Sequence, residues 1–198
     1  MIIERHASKD MLAMLSRHRC EGCGACCRWN GHVFLYRGDV KRIADRMELT
    51  IPDFLKRYCV LVRWRAGDVD QYRIGLARHP GNSDSSCIFL ENSRCSIHAF
   101  KPLMCKAGPA GWPWLADPES FWMYARKSPS FNHREGTLSR GSANYWFTRT
   151  RRAAAIVQDA TSLKMLARIH DVSLGAIRNL PLLGFEQGEH SDVSVSEP

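Results

Sequence analysis

The chain has 198 residues, 44% hydrophobic and 24% charged. That is enough apolar material for a folded core, and it argues against a disordered polyelectrolyte. No run of about 18 apolar residues is present, so a membrane-spanning helix is not expected. The formal net charge of +8 favours polyanionic partners. Two four-thiolate zinc sites of about −2 each would lower it to about +4.

In chain order, Ser8–Arg19 reads as a short helix capped by Ser8, with Met11, Leu12, Met14 and Leu15 as an apolar stripe. Arg5, His6, Lys9 and Asp10 interrupt any secretory h-region, so a cytoplasmic location is expected. His32–Tyr36 reads as a strand. Asp39–Met47 reads as a helix burying Val40, Ile43, Ala44 and Met47. A further helix starts at Thr50, with Pro52 in its first turn and Phe54, Leu55 and Tyr58 inward.

Leu61–Arg65 and Gln71–Leu76 read as strands joined by a turn around Gly67-Asp68, and Pro80–Ser86 as a surface loop. Cys87–Leu90 and Arg94–His98 flank a hairpin turn at Glu91–Ser93. Gly108–Arg140, rich in Pro, Gly and Trp, carries no clear element. Ser142–Ile169 reads as one long helix packed through Tyr145, Trp146, Ile156, Leu163 and Leu166, and Val172–Leu180 as a shorter one. The expected fold is therefore α+β: a small metal-stabilised domain with short strands, a hairpin, several helices and a long C-terminal helix. Its expected divisions are an N-terminal helix (1–19), a cysteine domain (20–114), a helical extension packed on it (115–185) and a disordered tail (186–198).

The chemistry lies in eight cysteines. Four fall within eight residues, Cys20-Glu-Gly-Cys23-Gly-Ala-Cys26-Cys27; Cys59 follows, then Cys87, Cys95 and Cys105. In a reducing compartment such clustering points to metal rather than disulfides. Gly22 and Gly24 suit a loop whose amides turn toward sulfur. Cys20, Cys23 and Cys26 repeat the C-x₂-C-x₂-C step of iron–sulfur loops without its usual continuation, so further ligands must come from downstream. Neighbouring side chains diverge, so Cys26 and Cys27 are expected to serve different metal atoms, or one of them to pack. All eight cysteines are candidate ligands, with Cys59 equally readable as core, because Tyr58-Cys59-Val60 suits a buried helix end.

These residues resemble the YkgJ-type cysteine-cluster family of zinc- or iron-chelating proteins, named for a CxxCxxCC motif. Cys20–Cys27 match that motif at every cysteine. Residues 32–44 resemble its strand and "D-[IV]-x-R-[IL]-A" helix, residues 50–59 its "eeFlxxyc" segment, and Cys87–Cys105 its "CxFLxxxxCxIYxxRPxxC" run. Lys101 stands where the family pattern has arginine, and the segment after Cys105 is longer than the usual "CRxFP". The resemblance implies metal chelation and names no general reaction. A similar cluster in flagellin lysine methylases raises S-adenosylmethionine chemistry, but this chain has no glycine-rich cofactor loop after a strand.

Successive C-x₂-C steps favour iron, as an iron–sulfur cluster, over zinc, which prefers separated pairs. His98, three residues after Cys95, is a possible nitrogen ligand; the family has an aromatic there, so packing or support of a ligand is the expectation. Trp112, Trp114, Phe121, Trp122, Tyr124 and Trp146 read as core around the site, with a stacking surface as the alternative. Arg149–Arg152 reads as a solvated helix face, and His133-Arg134-Glu135 carries little catalytic signal. The leading reading is an iron-binding protein in redox, metal handling or assistance to an enzyme. The alternatives are a structural zinc module for nucleic acid or a protein partner, and a metal-dependent group-transfer enzyme.

Overall fold

Short polar side chains start several of the helices. In the computed structural model of the protein, which describes residues 2–29, 31–66, 68–80, 86–158 and 160–185, the Ser8 side chain accepts the Met11 N–H at the head of α1 (Lys9–Leu15). Asp39 opens α2 (Asp39–Arg46), just after Gly38 turns the chain in a left-handed conformation. Thr50 accepts the Asp53 N–H at the head of α3 (Ile51–Tyr58), and Pro52 sits in its first turn. The Ser8 and Thr50 caps each satisfy an amide that has no intrahelical partner, worth about 1 kcal/mol.

Strands β1 (Cys59–Ala66) and β2 (Val69–Leu76) form an antiparallel pair running from Cys59 opposite Leu76 to Ala66 opposite Val69. Strands β3 (Leu90–Glu91) and β4 (Arg94–Cys95) form the expected hairpin. Its turn residues Asn92 and Ser93 are both left-handed, the geometry that matches strand twist in two-residue turns. After α4 (Leu103–Ala107), the segment that lacked a clear element holds α5 (Trp112–Leu115) and α6 (Pro118–Lys127).

Two expectations are corrected. His32–Tyr36 is not a strand: Phe34 makes a single bridge to Gly75, through Leu35 N–H to the Ile74 carbonyl and Leu76 N–H to the Val33 carbonyl, and Gly38 soon turns the chain. The long C-terminal helix is two, α7 (Arg140–Gln158) and α8 (Leu163–His170). Between them the Ala160 carbonyl accepts the Tyr72 N–H at the free edge of β2, and Ser162 caps α8 through the Met165 N–H. Covering that edge takes precedence over helix continuity. Tyr145 and Ile156 are exposed, and α7 packs instead through Ala143, Phe147, Thr150 and Ala154.

Helix α9 (Leu174–Arg178) leads to a strand the sequence did not reveal, β5 (Leu182–Phe185), parallel to β1, giving the sheet order β2-β1-β5. Expectations for Gly67, for residues 81–85 and for the tail 186–198 lie outside the described residues. Among the described residues no helix is long and apolar enough to cross a membrane.

One hydrophobic cluster joins α2, α3, the sheet, α8 and α9, and includes Cys27, Cys59 and Cys87. A second joins α1, α5, α6 and α7 around Phe121, Phe131 and Phe147. A cleft of about 440 Å³ draws its walls from both clusters.

Candidate metal centre

The cysteine loop is held from two sides. Toward residues 130–137, the Arg19 N–H donates to the Ser130 carbonyl, the Gly136 N–H to the Ser16 carbonyl, and Glu21 pairs with His133 at 3.2 Å. Toward the β3–β4 hairpin, Arg28 donates to Ser93 Oγ at 2.8 Å and to the Cys23 carbonyl at 3.3 Å. Gly24 makes this docking possible: its φ is +72°, and a Cβ there would stand 2.7 Å from Leu90 Cδ1 and 2.9 Å from the Ser93 carbonyl oxygen. The chain then tightens into a 3₁₀ turn at Ala25–Cys27, and the Cys87 N–H donates to the Cys27 carbonyl at 2.8 Å.

The far wall is set by an ion pair that sequence reasoning did not single out as functional. Asp39 is 4% exposed; its carboxylate accepts from Arg42 at 2.6 Å and from the Tyr36 and Leu103 amides. Arg42 in turn donates to the Phe100 and Lys101 carbonyls. Together they fix the segment that aims Lys101 at the cleft and starts α4, which carries Cys105. The signal was present as Asp39-x-x-Arg42, the i, i+3 spacing that lets two helical side chains meet.

Seven of the eight cysteines line the cleft: Cys20, Cys23, Cys26, Cys27, Cys87, Cys95 and Cys105. Cys59 does not. It is 2% exposed in the first hydrophobic cluster, where burial pushes its thiol well above the usual range. All eight are free thiols.

Cys27 is the hub. Interaction with the Cys26, Cys87 and Cys95 thiols, and then burial, keeps its own proton firmly bound. The three partners shift the other way. Cys26 falls to about 7, chiefly through Cys27 and with help from Lys101. Cys95 falls to about 6, through Cys27, a backbone bond at Ile97 and Lys101. Cys87 is also lowered, through Cys27 and a backbone bond at Phe89. Cys105 is raised by burial. Of the adjacent pair, Cys27 is buried in the first hydrophobic cluster and Cys26 is exposed, and both reach the cleft from the 3₁₀ turn.

The other two loop cysteines stand apart from this hub. Cys23 Sγ lies 3.6 Å from Ser130 Oγ. Cys20 Sγ lies 3.5 Å from His98 Nε2, and the Lys101 ammonium stands 3.6 Å from that sulfur and 3.4 Å from that nitrogen. Among the described residues no three His, Cys, Asp or Glu side chains form a ready-made metal cage. The donor set nonetheless suits a soft or borderline cation, since thiolates select zinc, Cu(I) and iron.

Beyond the sulfurs the cleft is aromatic. Trp29, Trp114 and Tyr124 pack with ring centroids 5.5, 5.9 and 4.7 Å apart, and Trp146 adds to the wall. Burial, and then the Cys26 charge, raise the Tyr124 phenol. Of the Trp-rich region, Trp114, Phe121, Trp122, Tyr124 and Trp146 are therefore packed core or cleft wall, and the Trp112 side chain lies outside the described residues. His18, also on the wall, is held down to about 4 by burial and the Lys101 charge.

No curated protein and no solved structure matches the chain. A family model does, over residues 19–130, more than half of the 198 and spanning every thiol of the cleft. The chain belongs to the CxxCxxCC family, described as a zinc- or iron-chelating domain.

Proposed function

We propose that this protein chelates a single zinc or ferrous ion at a tetrahedral thiolate centre formed by Cys26, Cys27, Cys87 and Cys95. The observation that carries the reading is the convergence of seven thiols on one cleft, where Cys26, Cys87 and Cys95 are each acidified through Cys27. At a metal–sulfur distance of about 2.3 Å, tetrahedral sulfurs lie about 3.8 Å apart. Metal binding would release the thiol protons and replace the thiol–thiol interactions with metal–sulfur bonds. The free thiols call for a reducing setting, which fits a cytoplasmic protein. The aromatic cleft beside the centre supports a role in which a small organic molecule meets the metal, in redox work, metal handling or group transfer.

An iron–sulfur cluster is the second reading. The C-x₂-C-x₂-C loop with left-handed Gly22 and Gly24 favours it, as do seven thiols in one cleft. Anaerobic purification with iron, zinc and acid-labile sulfide analysis separates the two. One equivalent of metal and no sulfide supports the single-ion centre. Several irons with matching sulfide and visible charge-transfer bands would replace it with a cluster, and a metal-free protein that takes up neither ion would refute chelation. For nucleic acid as a partner, the support is the +8 charge alone, and salt-dependent binding to nonspecific DNA tests it.

A further inference from the structure

We infer that Cys20 and His98 form a second, open metal site at the cleft rim, with one sulfur and one nitrogen donor and with positions left for an outside ligand. This rests on the chelation reading above. It goes beyond that reading in assigning a histidine and a second, different coordination environment.

The first argument is distance. In a tetrahedral site with metal–sulfur about 2.3 Å and metal–nitrogen about 2.0–2.1 Å, the two donor atoms lie about 3.5 Å apart. Cys20 Sγ and His98 Nε2 are 3.5 Å apart. They come from elements 78 residues apart in sequence, so the spacing is a product of the fold rather than of a local turn.

The second argument is the cation already there. The Lys101 ammonium lies 3.6 Å from the sulfur and 3.4 Å from the nitrogen. The two donor atoms thus converge on one point, the place the ammonium now fills. Lys101 is a flexible side chain beginning just past the 3₁₀ turn at His98–Phe100, so it can swing aside. Loading then exchanges one cation for another: M²⁺ bonds to Cys20 Sγ and His98 Nε2, the thiol proton leaves to solvent, and the ammonium withdraws.

The third argument is exposure. Cys20 and His98 are both exposed, whereas in the hub only Cys26 is exposed, Cys95 is half-buried, and Cys27 and Cys87 are buried. Closed four-ligand sites are structural, while sites with open positions exchange or activate ligands. The rim pair is the open one, and it faces the same aromatic cleft as the hub. A borderline divalent cation such as zinc or ferrous iron matches one thiolate and one imidazole.

The test is an anaerobic Co(II) titration of the full-length reduced chain, followed by absorption and by competition with Zn(II). The wild type should show two classes of Co(II), a tight all-sulfur class and a weaker mixed class. His98→Ala and Cys20→Ala should weaken the second class by more than about 100-fold, beyond what loss of a supporting residue costs. They should leave the first class unchanged. Free imidazole should partly restore it in His98→Ala, and His98→Cys should retain it with stronger sulfur-to-cobalt absorption. A His98→Ala chain that titrates like the wild type in both classes overturns the rim site and leaves the hub standing. A wild type that takes up no Co(II) overturns both.

Discussion

Replacing Asp39 with alanine should destabilise the metal-free, reduced protein by about 3–5 kcal/mol. The carboxylate is 4% exposed and accepts two backbone amides, from Tyr36 at 3.0 Å and Leu103 at 3.2 Å. Leaving each buried amide without its acceptor costs about 1–3 kcal/mol. Loss of the Arg42 pair adds to this, but Arg42 is 35% exposed and keeps its bonds to the Phe100 and Lys101 carbonyls, so that share sits at the low end for a broken buried pair. Against a typical total of about 5–15 kcal/mol the loss is large. Urea unfolding of the reduced chain measures it, with Asp39→Asn expected near half the cost because one acceptor oxygen survives. The freed start of α4 should also speed alkylation of Cys105 in the native state. A cost for Asp39→Ala below about 1 kcal/mol would refute the claim that this ion pair frames the cleft.

Gly24→Ala should cost about 2–4 kcal/mol and Gly22→Ala about 1. Both carry left-handed strain, but only the first drives a Cβ into Leu90 and the Ser93 backbone, so equal effects in thermal melts would remove the docking argument. His170 is buried and held down to about 4 against an ordinary 6.5. The unfolded chain therefore binds the extra proton first, and this contribution is whole above pH 6.5 and lost as pH falls through 4. The loss is about 3 kcal/mol. His170→Phe should flatten the pH–stability curve in that window relative to wild type, and parallel curves would contradict the assignment. Cys59→Ser should cost about 1–3 kcal/mol by burying a hydroxyl in apolar surroundings while leaving metal content intact; loss of metal in plasma emission analysis would make Cys59 a ligand. Chelation of the loaded protein should change tryptophan fluorescence through Trp29 and Trp114 with little change in far-UV circular dichroism, and global unfolding on chelation would show that the metal holds the core.

What the sequence revealed was what local chemistry decides. Ser8 and Thr50 announce helix starts because a hydroxyl before an apolar stripe has little else to bind, and both cap as expected. Glu91–Ser93 announces the hairpin that delivers Cys95. The failures needed partners far along the chain. Ala160 leaves the helical path for an amide on β2, and β5 exists because β1 offers it an edge. The strand expected over His32–Tyr36 shrinks to one bridge at Phe34, because the chain turns at Gly38. At the site, the cysteines were legible by type and spacing, but their grouping was not. The C-x₂-C-x₂-C rhythm suggested that Cys20, Cys23 and Cys26 act together. The fold adds to them Cys27, Cys87, Cys95 and Cys105 in one cleft, and sets Cys20 Sγ 3.5 Å from His98 Nε2.

That regrouping bears on how far the metal organises the protein. The hub draws its sulfurs from a 3₁₀ turn, an isolated bridge at Cys87 and a hairpin strand, pieces that share no continuous element. Each is nonetheless fixed by contacts that involve no metal: the Gly24 approach to Ser93, the Arg28 bonds, the Cys87 amide on the Cys27 carbonyl, and Asp39 with Arg42 behind α4. Two hydrophobic clusters lie behind them. A small zinc finger lacks such a core and needs its ion to fold. Here the fold can bring the thiols together first, so the binding energy of the ion is free to act on the cleft. Thiols gathered in one cleft with aromatic side chains on its walls suit a site where metal or ligand is exchanged better than one that only staples the chain.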